Sequence, residues 1–300
     1  MNDKLISSAH DTGRSRVGAF AGSLIFTGLG QLYAGAASKG IVFLLLRIAA
    51  AGIFPVLLFY NREFPLFYTM VGCVLFDIFI IISCAIHAGV TAGKSGSIGF
   101  KQYMRPYVYI VYALGVLLVM TLIYGMLFSM VSLTTMPSPR MEPVIMKDDR
   151  ILIIRFPGLV PSVGDSVLIT RGEEKLIRRV VAAGPENVII KGTAIRVNNT
   201  PLERTIMSDH IAARLKIANR EEYYLERNDD ILYPVMIPPK GRQKGGGTSM
   251  IYLAKEKYLA ASDNRTGDDW FLKVESDQVS GRVAGVLYSP GRGIWFLPVQ

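Results

Sequence analysis

Cysteine and histidine are almost missing, with two of the first and three of the second in 300 residues. His10, His87 and His210 are scattered, and no His-x-x-x-His or Cys-x-x-Cys spacing occurs. That leaves no pattern for a zinc site or a thiol redox centre, and no cofactor is expected. Cys73 and Cys84 share one apolar segment, about 16 Å apart if it is helical, too far to pair with each other. No cysteine follows them, so the rest of the chain needs no disulfide, and its compartment stays open on redox grounds. The glycine-rich stretch from Gly241 to Ser249 lacks the Gly-Lys-Ser/Thr ending of a phosphate loop and reads as a flexible, solvated excursion.

Charge is scarce as well, 19% of residues against about a quarter in an average chain. The shortage is one-sided. Residues 1–131 hold nine Lys/Arg and four Asp/Glu, and residues 132–300 hold twenty-four and twenty. The net charge of +9 splits as +5 and +4, so no concentrated basic face points to nucleic acid, which is excluded as a partner. Two domains are expected, an α-helical membrane domain over 1–131 and a soluble domain over 132–300.

Long apolar runs fill the first part. Residues 40–60, 64–88 and 107–131 each reach the roughly 20 apolar residues that a 30 Å hydrocarbon core requires. A fourth run, 17–36, is rich in Gly, Ala and Ser and either spans or re-enters. It lies too far from the start, and is too long, for a cleaved leader. Its Gly28-Leu29-Gly30-Gln31-Leu32-Tyr33, followed by Lys39-Gly40, is similar to a short motif at the head of several small bacterial membrane domains. Lys94, Lys101 and Arg105 lie between the last two spans with no acidic residue, which places that connection in the cytoplasm and sends the last helix outward. Residues 132–300 are then extracytoplasmic, anchored in the bacterial inner membrane with lipid as the first partner. Arg47 and Asp77 fall inside spans, where a charge costs several kcal/mol unless paired, and an ion pair between neighbouring helices is within reach.

Past Phe128 the pattern changes to short β-branched runs at 151–154, 166–169, 176–182, 188–190, 194–197 and 283–288, divided by Gly, Pro, Asn and Asp. This spacing predicts a mainly-β domain of hairpins, with turns at Lys191-Gly192 and Asn198-Asn199. Residues 203–232 are charge-dense and predict one short helix near 209–219.

Four ordered motifs carry a family resemblance. Met136-Pro137-Ser138-Pro139-Arg140-Met141-Glu142-Pro143 leads into Asp148-Asp149, and it resembles the Pro-Ser-Gly-Ser-Met-x-Pro-Thr-Leu and Gly-Asp of bacterial type I signal peptidases, with Pro137, Ser138, Met141, Pro143 and Asp149 matching. Gly164-Asp165-Ser-Val-Leu is similar to the family's Gly-Asp-Ile-Val-Val strand. Leu176-Ile177-Arg178-Arg179-Val180-Val181 falls on Tyr-x-Lys-Arg-Val-Ile, with Ile195 to Asn199 on the Ile-Asn-Gly turn. Ser262-Asp263-Asn264-Arg265 falls on Gly-Asp-Asn-Arg. The resemblance implies a membrane-anchored serine peptidase fold that cuts leader peptides from exported proteins with a Ser nucleophile and a Lys base.

The departures fall on the chemistry. Aligned on Met141, the nucleophile position is Arg140; aligned on Arg179, the base position is Arg178. Guanidinium offers no nucleophilic oxygen and does not give up its proton at a useful pH. Ser138 matches the family's oxyanion-hole serine, two residues from the attacking position. Lys175 is an odd offset from Arg178 on a strand and faces away, and nothing aims Lys147 inward. The segment after Arg265 keeps an acid in Asp268-Asp269 and loses the family's Ser-x-Asp-Ser-Arg. A Ser-Asp-Asn box of the penicillin-binding type is excluded because no Ser-x-x-Lys occurs. The expectation is a non-catalytic relative that binds leader peptides or an exported partner. The alternatives are an active peptidase with unusual residues, and an anion-binding or scaffolding protein in which Arg140, Arg178 and Arg179 grip a carboxylate or phosphate. In the plainer form of that last reading the arginines are salt-bridged to Asp263 and the 268/269 pair.

Overall fold

The computed structural model describes residues 14–60, 66–94, 105–155, 160–217, 222–239, 247–297 and 299. The chain divides into two compact units, Met1–Phe128 and Ser129–Gln300.

In the first unit α1 (Arg16–Ile25) and α2 (Leu29–Tyr33) precede three long helices, α3 (Ala37–Tyr60), α4 (Leu66–Lys94) and α5 (Pro106–Met130). Among the described residues, stretches of these three are long and apolar enough to cross a membrane: Ala37–Phe54, Tyr68–Lys94 and Pro106–Met130. Their large side chains, such as Leu45, Phe79 and Leu122, point outward and exposed, as a lipid-facing surface requires. The 17–36 run is broken instead. Ten residues of α1 rise about 15 Å, half the hydrocarbon thickness. Gly28, at φ +92°, turns the chain between α1 and α2, and a Cβ on Gly30 would sit 1.8 Å from the Ala19 carbonyl oxygen. Buried Ser23 accepts the Gly30 N–H at 2.9 Å and donates to Gln31 Oε1 at 2.8 Å, while Gln31 Nε2 donates to the Cys84 carbonyl at 2.7 Å. The Gly-Leu-Gly-Gln motif is thus the glue between α1, α2 and α4. The proposed cytoplasmic connection lies mostly outside the described residues, with Lys94 ending α4 and Arg105 just before α5.

The second unit is mainly β. One antiparallel sheet runs β1 (Val131–Thr135), β2 (Arg150–Ile154), β14 (Val279–Ser289), β3 (Ser166–Arg171), β4 (Glu174–Ala183), β12 (Lys257–Ala261), β13 (Phe271–Glu275), with β15 (Ile294–Leu297) also on β14. A four-stranded sheet holds β11 (Thr248–Leu253), β5 (Glu186–Lys191), β6 (Ala194–Val197) and β7 (Thr200–Pro201). A three-stranded sheet holds β10 (Ile231–Met236), β9 (Tyr223–Asn228) and β8 (Glu203–Ile206). Positive φ at Gly192, Asn198 and Asn199 closes the two turns flanking β6. The charge-dense 203–232 region therefore contributes three strands besides the short α6 (Asp209–Arg214). Of the expected loop at 241–249, residues 241–246 lie outside the described residues and Thr248-Ser249 open β11. Residues 177–182 of β4 are buried without a break. Such a strand is covered on both faces, so Arg178 and Arg179, on opposite faces, must each find partners inside.

Candidate functional site

The first motif is a closed loop pinned from below. Ser138 is extended and Pro139–Met141 forms a single 3-10 turn. Met141 is fully buried with Val144 and Ile145 in the main core, worth about 1.5–3 kcal/mol of burial, and this anchor leaves Arg140 on the open side. Asp149 locks the loop's far end. Its Oδ2 accepts the Met146 N–H at 2.8 Å and Arg292 Nη2 at 2.6 Å, and Arg292 also donates to the carbonyls of Pro143 and Val144, both at 3.1 Å. No motif drew attention to Arg292.

The last motif clamps the first. Asn264 N donates to the Arg140 carbonyl at 3.0 Å and Asn264 Nδ2 to the Pro139 carbonyl at 3.1 Å. Asp263 is buried and receives Arg179 through a bidentate fork, Nε–Oδ1 2.8 Å and Nη2–Oδ2 2.6 Å; Arg179 Nη1 donates to the Gly164 carbonyl at 2.7 Å. Arg179 stays charged because this carboxylate and its hydrogen bonds outweigh the cost of burial. Gly164 needs its glycine, since φ is +89° and a Cβ would meet Ile231 at 2.8 Å. Asp165 accepts the Ser162 N–H at 2.8 Å and faces Arg282 at 4.0 Å. Arg265 pairs with buried Glu226, Nη1–Oε2 2.8 Å, and stacks over Trp270 at 4.8 Å. These residues of the second, third and fourth motifs are a scaffold of matched buried charges.

Two guanidiniums stand apart from it. Arg140 donates Nη2 to Asp269 Oδ2 at 2.9 Å and Nη1 to the Asp269 carbonyl at 3.1 Å. Arg178 is buried, donates Nη1 to the Ile177 carbonyl at 2.8 Å, and has its Nε buried without a partner. Burial first, and the charge of Arg140 second, push its pKa down to about 10, which still leaves it protonated at neutral pH. Arg179, its neighbour, belongs to the opposite face, so the structure does not bring the three arginines of the anion-binding reading together. Ser138 is half-buried and its hydroxyl caps nothing. Lys147 and Lys175 are both exposed, and neither hydrogen-bonds Ser138. Among the described residues no cluster of three or more His, Cys, Asp or Glu could hold a metal.

Residues 107–270 match the family model described as signal peptidase, peptidase S26. The chain belongs to this family. Its second unit supplies the mainly-β fold that follows the three apolar helices. Among solved structures it is similar to a signal peptidase I from Enterococcus faecalis, at 16% identity over 41% of this chain and 97% of that one, with a TM-score of 0.24. A likeness that loose decides nothing about single positions. No curated protein matches.

In this signal-peptidase family protein the other predicted charges meet inside the helical unit. Arg47 on α3 forks onto Asp77 on α4, Nε–Oδ1 2.9 Å and Nη2–Oδ2 3.2 Å. Thr27 Oγ1 accepts Arg47 Nη1 at 2.9 Å, and the Tyr124 hydroxyl donates to Asp77 Oδ2 at 3.2 Å. The carboxylate and guanidinium are paired and further hydrogen-bonded, which is what makes a charge tolerable at such depth.

Proposed function

We propose that this protein is a membrane-anchored member of the signal peptidase family that binds leader peptides, or an exported partner carrying one, without cutting them. It sits in the bacterial inner membrane with residues 132–300 outside the cytoplasm. The observation that carries the reading is the chemistry at 140 and 178. A serine peptidase needs an oxygen nucleophile within about 3 Å of a base that can accept its proton. Arg140 supplies neither, and its side chain is committed to Asp269. Arg178 holds its proton at neutral pH, its pKa lying only as low as about 10. Neither Lys147 nor Lys175, the nearest candidates for a base in the sequence, hydrogen-bonds Ser138, and both are exposed. The loop remains built, with Met141, Asp149 and Asn264 holding the turn in place.

Purified protein in detergent, incubated with a leader-peptide substrate, should give no hydrolysis above background. Arg140→Ser alone leaves the new serine without a base, and Arg178→Lys alone leaves the new base with nothing to activate, so both should be inert. The double change should restore a trace of cleavage, limited by the altered 266–271 segment. Wild-type cleavage that disappears in Ser138→Ala would end the non-hydrolysing reading and make Ser138 the nucleophile.

A further inference from the structure

A guanidinium carries five N–H donors and no acceptor, and burying one without a matching anion is strongly unfavourable. Arg178 is 2% exposed, yet its one protein hydrogen bond is the Nη1 contact with the Ile177 carbonyl, and its Nε is orphaned. The charged groups whose fields reach it are Arg140, Asp269 and Glu174. Glu174 opens β4 at an exposed position. Arg140 is a second cation, and Asp269 is its bound carboxylate, held at 2.9 Å on a segment so open that its side chain is 76% exposed. One loosely seated carboxylate, bonded to Arg140 alone, therefore stands against two guanidiniums, and the charge of this trio is +1. Ser138, whose hydroxyl caps nothing, lies two residues from Arg140.

We infer that Arg140 and Arg178 form a recognition site for the free C-terminal carboxylate of a bound peptide, which Asp269 occupies as an internal stand-in until the peptide displaces it. The inference rests on the peptide-binding reading and names the chemical group that reading lacks. A carboxylate is favoured over other anions because one already lies on Arg140 through a single oxygen, Nη2 meeting Asp269 Oδ2 while Nη1 takes the Asp269 carbonyl, so an incoming carboxylate can offer the planar guanidinium both of its oxygens. Two guanidiniums against one carboxylate keep a net positive charge that draws an incoming anion, and the orphaned Nε of Arg178 is a donor that Asp269 leaves unused. A peptide ending in an amide offers neither the charge nor the second oxygen.

The test uses the full-length protein in detergent and fluorescence anisotropy of one labelled apolar nonapeptide, prepared both as the free acid and as the C-terminal amide. The acid should bind wild type at least about tenfold more tightly than the amide, the worth of one charge-assisted hydrogen bond. Asp269→Asn, a surface change, should tighten the acid about threefold or more by removing the internal competitor, and leave the amide unmoved. Arg140→Gln, at a half-exposed position, should erase the preference for the acid. Arg178→Gln should do the same wherever thermal unfolding shows it folded. Equal binding of acid and amide by wild type would overturn the carboxylate site while leaving peptide binding intact; no binding of either would remove both. Weaker acid binding in Asp269→Asn would make Asp269 part of the site's framework rather than its plug. Displacement of the acid peptide by inorganic phosphate or by phosphatidylglycerol vesicles at concentrations where acetate has no effect would reassign the pair to phosphate.

Discussion

A buried charge is expensive alone and tolerable in company, and in the β unit Asp149, Arg179, Asp263 and Arg265 obey this while Arg178 does not. Glu226 is fully buried between Arg204 and Arg265, with Tyr233 donating its hydroxyl at 3.0 Å. Burial alone would raise its carboxyl, but Arg265 and Arg204 together hold it below the usual carboxylate range. A depressed folded value gives stability that is complete above the unfolded carboxyl value of about 4.3 and is lost as the pH falls through the folded value. Glu226→Gln should therefore lower stability at pH 7 by about 3–5 kcal/mol, since it leaves two arginines facing a neutral amide. The gap to wild type should narrow as the pH drops below about 4. Thermal unfolding of both proteins from neutral pH down to about two units below the free carboxyl value checks this, and a gap independent of pH would mean that Glu226 does not work as an ion. Asp263, Asn264 and Arg265 were legible as a motif in the sequence. So were the pairings of Arg179 with Asp263 and of Arg140 with Asp269; the partners of Arg265 and Asp149 were not, because Glu226 lies 39 positions from Arg265 and Arg292 lies 143 positions from Asp149, and no local spacing encodes so distant a pairing.

Elements were legible where one physical signal dominated. The runs at 151–154, 166–169 and 188–190 lie within β2, β3 and β5, since β-branched residues bounded by turn formers have few other options. The strands β8 and β9 were hidden because their register sets Arg204 opposite Glu226, and charges chosen to pair across strands look like a solvated stretch when read along the chain. In β12, Tyr258-Leu-Ala-Ala carries no β-branched residue at all, and its burial comes from β4 and β13 on either side. Hydropathy likewise could not show where the last helix stops, because Val131 and Leu133 are as apolar as the helix before them; pairing with Ile154 and Leu152 makes them a strand. In the helical unit, Arg47 and Asp77 tie α3 to α4, and Tyr124 brings in α5. Arg47→Met should strand the Asp77 charge in an apolar setting and cost about 3 kcal/mol. Adding Asp77→Leu should recover most of that loss, because an apolar pair of similar volume replaces the ion pair with little penalty. Denaturation of the three proteins in detergent micelles measures both steps, and a double variant no more stable than the single would show that the residues act separately.

For the molecule as a whole, the number of crossings decides which side of the membrane the β unit occupies. Consecutive spans alternate in direction, so the start of α3, the end of α4 and the start of α5 share one side, and Lys39, Lys94 and Arg105 all lie there. The head joins them. At about 15 Å, α1 is too short to carry Arg14 and Arg16 across, and a Cβ on Gly93 would meet Arg16 Nε at 2.1 Å, so the Arg16 side chain lies against the end of α4. Four spans would have sent Arg14 and Arg16 outward against the positive-inside bias. Three spans put these cations on one face, which the positive-inside bias makes the cytoplasmic one in the orientation we propose. In that orientation an odd count is expected to deliver residues 132–300 to the opposite side. Protease added to intact spheroplasts should degrade the β unit and spare a fragment of about the size of the helical unit, while epitopes placed before Arg14 should stay protected until the membrane is opened. A β unit protected in intact spheroplasts and cut only after permeabilisation would invert the orientation and remove the protein from contact with exported chains.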